Sequence, residues 1–310
     1  MNMNFLRKSV LGILVFPVLI SFSQTVSKTE KPAQPFKIIT YNIWNGFDFG
    51  KDESRREELV NWVKEQNPAI IGLQELCNYS PEKLKEDAKN WGHEYSVLLK
   101  TTGYSVGLAS KYPIEIKEKI LEGMHHGALH CITGGIDVFV VHFSPSSFQK
   151  RSEEAKIIQQ KLAEVAKTNQ YYIVLGDFNA HSPFDADLYK NDVLINRLRK
   201  SNADNQKNGN LVDNELDFAV LSGFIALPLI DVCQKFTGGM AERGSFPARS
   251  LAKVNNETVE ELISRFERID YFLVSPEIAK KCTTAKVCNG KENWYLSDHY
   301  PVMAEFNLSK

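Results

Sequence analysis

The chain has 310 residues, 43% of them hydrophobic and 24% charged, and a formal net charge of −1. That balance excludes a disordered or collagen-like chain and fits one large or two smaller globular domains. It lacks the basic excess with which proteins grip long nucleic acids, so a dedicated DNA-binding role is disfavoured, although a local basic groove inside a neutral total would still serve a nuclease.

The first stretch, MNMNFLRKSVLGILVFPVLISFSQ, has a basic start at Arg7 and Lys8 and a short apolar run from Val10 to Phe22 interrupted by Pro17. It is read as a secretory signal peptide, residues 1–24, cleaved near Ser23 or Gln24. The run is too short for a membrane span, and no cysteine stands at the cleavage region to carry a lipid anchor. A polar linker, residues 25–35, leads into a single folded region, residues 36–310. The expected location is therefore periplasmic or extracellular.

FKIITYNIW predicts a strand. DESRREELVNWVKEQN predicts a helix that stops at Asn67-Pro68, and AIIGLQEL a second strand. SVGLASKYPI, GIDVFVVHFSP and YYIVLGDFN are further strands. SEEAKIIQQKLAEVAKT is an amphipathic helix with Ser152 as its expected N-cap. SNADNQKNGNLVDN, residues 201–214, is expected to be a surface loop. RIDYFLVS and YPVMAEFNL are the last two strands. This alternation predicts an α/β layered class without deciding between a sandwich of two sheets and one doubly wound sheet.

Five cysteines follow the leader, an odd number, and export permits disulfides. Cys282 and Cys288 are the most local candidate pair. No CxxC is present, so a thiolate zinc site is not expected.

Polar residues recur at the ends of the apolar runs: Asn42, Glu75, His142, Asp177 with Asn179, Asp270, and Asp298 with His299. Loop ends held by a rigid sheet are where catalytic groups stand. Each has a bland explanation by itself. Asp177 and Asn179 in GDFNAHSP suit a tight turn, His142 suits a core histidine, and Asp270 suits an ion pair with Arg268. Together they supply carboxylate oxygens for a hard cation, an amide donor and two imidazoles, which is what metal-assisted attack on phosphorus requires.

The ordered set TYNIW, QE, GYS, VHFSP, GDFNA, RIDYFLVS and SDHYPV resembles the endonuclease/exonuclease/phosphatase superfamily, the deoxyribonuclease I-like proteins, from Phe36 to about Leu308. The resemblance implies a four-layer α/β sandwich, with two mixed sheets packed face to face between helices. It implies that Glu75 binds Mg²⁺ (or Mn²⁺), with Asn42 and Asp298 completing the metal's surroundings. Asp177 is then the residue that orients or deprotonates water, and Asn179 and His299 contact the phosphate. Asp270 holds His299, His142 lies near the leaving group, and Tyr104 matches an active-site tyrosine. Two positions depart from the nuclease branches. Trp44 replaces an acidic residue of the abasic-site endonucleases, and Val106 stands where deoxyribonuclease I has the glutamate that pairs its leaving-group histidine.

His125, His126 and His130 in MHHGALHC have no counterpart; lining the substrate site and binding an adventitious metal are open to them, and exposed loop residues are the favoured expectation. GMAERGSFP carries no assignment. The resulting expectation is an exported, monomeric Mg²⁺-dependent phosphoesterase acting on a small phosphorylated metabolite or a phospholipid headgroup. A secreted nuclease is the first alternative, and a non-catalytic binding protein on the same scaffold is the second. The absence of HExxH sets zinc hydrolases aside.

Overall fold

Ile38 and Ile39 point to opposite faces of one strand, and both are fully buried. A strand apolar on both faces belongs inside a layered structure, and that strand, β1 (Phe36–Asn42), lies inside the first of two six-stranded sheets. The computed structural model describes residues 1, 35–189, 192–204 and 209–308, so the expected leader and most of the linker lie outside the described residues. The described residues from Pro35 onward form one compact unit.

The first sheet runs in the order β13 (Cys282–Val287), β14 (Val302–Phe306), β1, β2 (Ile70–Gln74), β4 (Gly107–Ser110), β3 (Tyr95–Leu98). The second runs β11 (Ile230–Asp231), β12 (Asp270–Val274), β8 (Tyr172–Asp177), β7 (Ile136–His142), β6 (Ala128–Thr133), β5 (Ile114–Ile120). A small hairpin, β9 (Leu211–Val212) with β10 (Glu215–Leu216), stands apart. Both sheets are mixed: β1 and β2 are parallel, as are β7 and β8, and the other pairs within them are antiparallel.

Three apolar layers follow from the two-residue period of the strands. Ile38, Ile70, Val138, Val140, Leu175 and Phe272 fill the space between the sheets. Ile39, Tyr41, Ile71 and Leu73 face outward and meet Leu59 and Val63 of the helix Glu53–Gln66. On the far side, Phe139, Val141 and Val174 meet Ile158 and Leu162 of the helix Phe148–Val165, together with Phe224 of Ala219–Ala226. The result is the expected four-layer sandwich.

Several local expectations are corrected. The helix expected to begin after Ser152 starts at Phe148, one turn earlier, because Ser147 is extended and its hydroxyl accepts from the Lys150 N–H. Residues 201–214 are not a plain loop: 201–204 finish the helix Asp192–Asp204, and Leu211–Leu216 form the small hairpin. Cys282 and Cys288 are free thiols, like the other three cysteines. Cys282 opens β13 and Cys288 follows its end, so the strand's rise separates them by roughly 20 Å, far beyond the ~7 Å that a disulfide spans.

Register carries the functional residues to one pole. In the parallel pairs, Asn42 stands beside Gln74 and His142 beside Asp177. The antiparallel strand β12 begins there, with Asp270 opposite Asp177. Glu75 follows the end of β2, and the Asp298–His299 loop precedes β14. Gly176 belongs to β8, and the turn of GDFN follows it at Asp177 to Asn179. The strand runs through it at φ 141°, and a Cβ there would lie 2.0 Å from the Val141 carbonyl oxygen, so only glycine lets β8 approach β7 this closely.

Candidate active site

Asp177 is the centre of the pole. Its Oδ2 accepts from the Asn42 amide at 3.1 Å and lies 3.5 Å from His142 Nε2 and 3.8 Å from His299 Nε2. Its Oδ1 accepts the Asn179 backbone N–H at 2.9 Å, a local turn bond that stops the carboxylate rotating. Asn179 itself, at φ 47°, is anchored by donating its side-chain amide to the Phe143 carbonyl at 3.0 Å. The two residues of GDFN therefore make the tight turn and line the cavity at once.

His299 Nδ1 is 2.9 Å from Asp270 Oδ2. Assigning that proton to Nδ1 leaves Nε2 facing Asp177. Asp270 is fixed from behind by Ser245, whose hydroxyl accepts the Ile269 and Asp270 N–H groups. Ser297 donates to the Asn42 carbonyl at 2.6 Å and accepts from the His299 N–H, tying the last loop to the end of β1. Phe246, from the unassigned GMAERGSFP segment, packs its ring 4.7 Å from that of His299.

Glu75 is held by an unusual backbone. Every residue from Trp44 to Gly50 has positive φ, with Trp44 at 56° and Phe47 at 62°, which makes a left-handed turn. L-residues resist that geometry, so it needs support. Arg55 supplies it, donating to the carbonyls of Ile43, Trp44 and Leu296 while its guanidinium lies 4.8 Å from the Phe47 ring. Gly46 has no alternative there, because a Cβ would meet the Cys77 carbonyl oxygen at 2.2 Å. The turn aims the Asn45 N–H at Glu75 Oε2, 2.7 Å away, and Asn42 donates to Oε1 at 3.2 Å. Asn42 thus faces Glu75 and Asp177 with its amide nitrogen, while its Oδ1 accepts from the Trp44 N–H.

The acids crowd one another. Burial and the nearby charge of Asp270 push Asp177 up to about 8, against the pull of His299 and the Asn179 and Asn42 donors. Asp298 is pushed up to about 6 by burial, with the Glu75 charge adding and His299 opposing. Burial opposes a charge on His299, but Asp270, Asp177 and Asp298 outweigh it and raise its pKa well above the ordinary value. His142 is held well below, first by burial and then by His126 and His299.

Asp177, Asp270 and His299 each bring a ligand atom to within 4.8 Å of the others. Asp270 and His299 already satisfy each other there. Glu267 on the cavity wall is paired with His181, which leaves Glu75, Asp298 and Asp177 as the carboxylates open to a cation, all of them offering hard oxygens. This set fits Mg²⁺ or Mn²⁺, since a divalent cation offsets the burial and the neighbouring acid charge that raise Asp298 and Asp177.

The cavity has a volume of about 540 Å³ and gathers Glu75, Tyr104, His142, Asp177, Asn179, Asp298 and His299. Asn42 and Asp270 act on it from behind. Tyr104 lies on its wall, its ring 5.3 Å from His126. His126 and His130 are buried, contrary to expectation; only His125 is exposed. His130 pairs with Asp137 at 2.6 Å within β6 and β7, and His126 enters the cavity. Arg268 does not pair with Asp270. It turns to Asp185 and Asp231, at 2.7 and 2.6 Å. The residues that sequence reasoning missed are His126, Phe246, Arg151, Asn210 and the His181–Glu267 pair, all on the cavity wall. Only the histidine pair in MHHGALHC gave any signal.

A model of the endonuclease/exonuclease/phosphatase family matches residues 39–299. No curated protein matches the sequence. Among solved structures, the chain is similar to an AP endonuclease from Archaeoglobus fulgidus, with a TM-score of 0.63 and 20% identity over 88% of this chain and 100% of that one. It is also similar to a variant of the Neisseria 3′ phosphatase NExo bound to a product DNA hairpin, with a TM-score of 0.61, 18% identity, and 88% and 99% coverage. The Neisseria meningitidis 3′-5′ exonuclease NExo matches with a TM-score of 0.61 and 19% identity over 87% and 99%. At these identities the likeness establishes the fold.

Proposed function

The chain belongs to the endonuclease/exonuclease/phosphatase family, and on that premise we propose that this phosphoester hydrolase is exported and depends on a divalent metal, Mg²⁺ or Mn²⁺. The observation that carries the reading is the convergence of the Asn42 amide and the His142 and His299 imidazoles on Asp177 Oδ2. Glu75 and Asp298, with Asn42 behind them, would hold the metal. When bound, it neutralises phosphate charge and favours the ionised carboxylates.

The chain's own residues do the rest. Asp177 orients a water toward phosphorus and takes its proton as the new P–O bond forms. Asn179 offers an N–H that does not repel the phosphate, as a second carboxylate would. His299, its other nitrogen bound to Asp270, contacts a phosphate oxygen from Nε2. His142 lies on the side where the leaving oxygen departs.

Substrate follows from the walls. Trp44, Tyr104, Phe246 and Pro145 border a cavity that suits a small ligand more than a long duplex, and the net charge of −1 agrees. A small phosphorylated metabolite or a phospholipid headgroup is the favoured class, met by a monomer in the periplasm or outside the cell. The second reading is a nuclease, favoured by structural neighbours described as an AP endonuclease and a 3′-5′ exonuclease. Bis-p-nitrophenyl phosphate, plasmid DNA, sphingomyelin and inositol phosphates, each with Mg²⁺ and with EDTA, separate the readings. Metal-dependent turnover of the small esters or the lipid, with intact plasmid, is expected. Faster cleavage of plasmid would favour the nuclease, and no turnover of any substrate would remove the reading.

A further inference from the structure

No hydrogen bond sets the His142 ring from behind. Its Nδ1 is buried without a hydrogen-bond partner, and its Nε2 faces Asp177 and Glu75 at 3.5 and 4.0 Å. One ring face is covered by His126, whose centroid lies 4.2 Å away with the planes inclined by only 19°. His126 is 6% exposed, and its own Nε2 makes no hydrogen bond. Its contribution at this contact is therefore its flat face. His125 closes edge-on against it at 4.3 Å, and Tyr104 leans on it at 5.3 Å.

The stack has its own clamp. Glu154, fully buried on the helix Phe148–Val165, accepts the Ser144 N–H at 2.8 Å through Oε2 and the His125 N–H through Oε1. One carboxylate thus joins the loop that carries His126 to the loop that follows His142. A buried acid spent on two backbone donors from separate loops fixes their spacing.

Resting on the phosphoesterase reading above, we propose that His126 is a positioning residue: its ring, stacked on His142 and set by Glu154, holds His142 Nε2 toward the departing oxygen of the substrate. In that step the water oxygen bonds to phosphorus, its proton passes to Asp177, and the leaving oxygen takes the bonding pair while His142 Nε2–H hydrogen-bonds it. His126 acts through its flat ring, and its nitrogens are not required.

Diphenyl phosphates with leaving groups from p-nitrophenyl to unsubstituted phenyl test this, with His126→Ala, His126→Phe and His142→Ala. The poorest leaving group needs the most help, so His126→Ala should lower kcat on diphenyl phosphate by about 10-fold and by much less on the nitrophenyl ester. His126→Phe should restore most of it, and adding His126→Ala to His142→Ala should cost nothing further. Equal losses across the series, or a Phe variant as poor as Ala, would overturn the assignment. A second readout is independent of turnover. The His142 ring protons should carry an upfield ring-current shift in NMR spectra of the wild type and His126→Phe, and lose it in His126→Ala. Unmoved resonances would refute the stack. A wild type that hydrolyses no ester, but shows the shift, would sink the phosphoesterase reading and leave the stack standing.

Discussion

Arg268 and Asp270 are two residues apart in RIDY, yet they belong to opposite kinds of charge cluster. Arg268 is fully buried between Asp185 and Asp231, and Asp185 also receives Arg243 at 2.9 Å. Acids and guanidinium groups are matched there. Asp270 looks the other way, toward Asp177 and His299, at the pole that also holds Asp298 and Glu75 and where the only cationic partners within ion-pair reach among the described residues are imidazoles. The first arrangement holds the loops before β12 to the second sheet. The second leaves an acid surplus that a folded chain keeps only at some cost in stability. Matched charge marks structure in this molecule, and unmatched charge marks chemistry.

The sharpest way to break that contrast is to neutralise the centre of each cluster. Asp177→Asn should lower turnover by ~10²–10⁴-fold while leaving the thermal midpoint equal or higher, because burial already disfavours the charge it removes. Steady-state kinetics and a melting curve on the same sample check this. Unchanged turnover would remove Asp177 from the mechanism, and a large drop in midpoint would make its cluster structural. Arg268→Met should do the reverse. It strands the buried Asp231 carboxylate, leaves Asp185 with Arg243 alone, and should cost about 3–5 kcal/mol of stability, read by urea unfolding. A loss under about 1 kcal/mol would erase the distinction between the clusters.

How much of this is legible in the sequence depends on how far apart the partners lie. Asp177 and Asn179 can be found because a short apolar run delivers them to its own end. Their chemistry is local, and so is the Asn179 N–H to Asp177 turn bond. Glu154 cannot be found: in SEEAKII it looks like any solvated helix acid, and its burial depends on two loops that arrive from elsewhere. His126 reads as exposed because a His-His pair before a glycine carries no period. Ser152 looks a better cap than Ser147 because apolar spacing, rather than the extended residue that starts the helix, guides the choice. The alternation of strands and helices gives the layers, but the pairing of β1 with β14 from the two ends of the folded region comes only with the structure.

A smaller effect sharpens the contrast from outside both clusters. His93 is buried, donates to the Pro68 carbonyl at 2.8 Å when its proton is on Nε2, and is held down to about 4 by burial, with Lys111 adding. The unfolded chain binds its proton near 6.5 and the folded chain near 4, so the unfolded state gains protons first as pH falls. Stability present above pH 6.5 is then lost progressively down to about pH 4, by at most about 3 kcal/mol. His93→Gln keeps the donor and should flatten that part of the stability–pH curve in urea titrations at each pH. An unchanged slope would assign acid sensitivity to other groups, the unmatched acids of the site among them.

The surplus of acid at the pole should draw in a divalent cation, and calorimetric titration of Mg²⁺ into the wild type and Glu75→Gln tests this. The prediction is one saturable site in the wild type and an affinity at least ~10-fold weaker in the variant. No saturable binding in the wild type, or the same isotherm for both proteins, would contradict it.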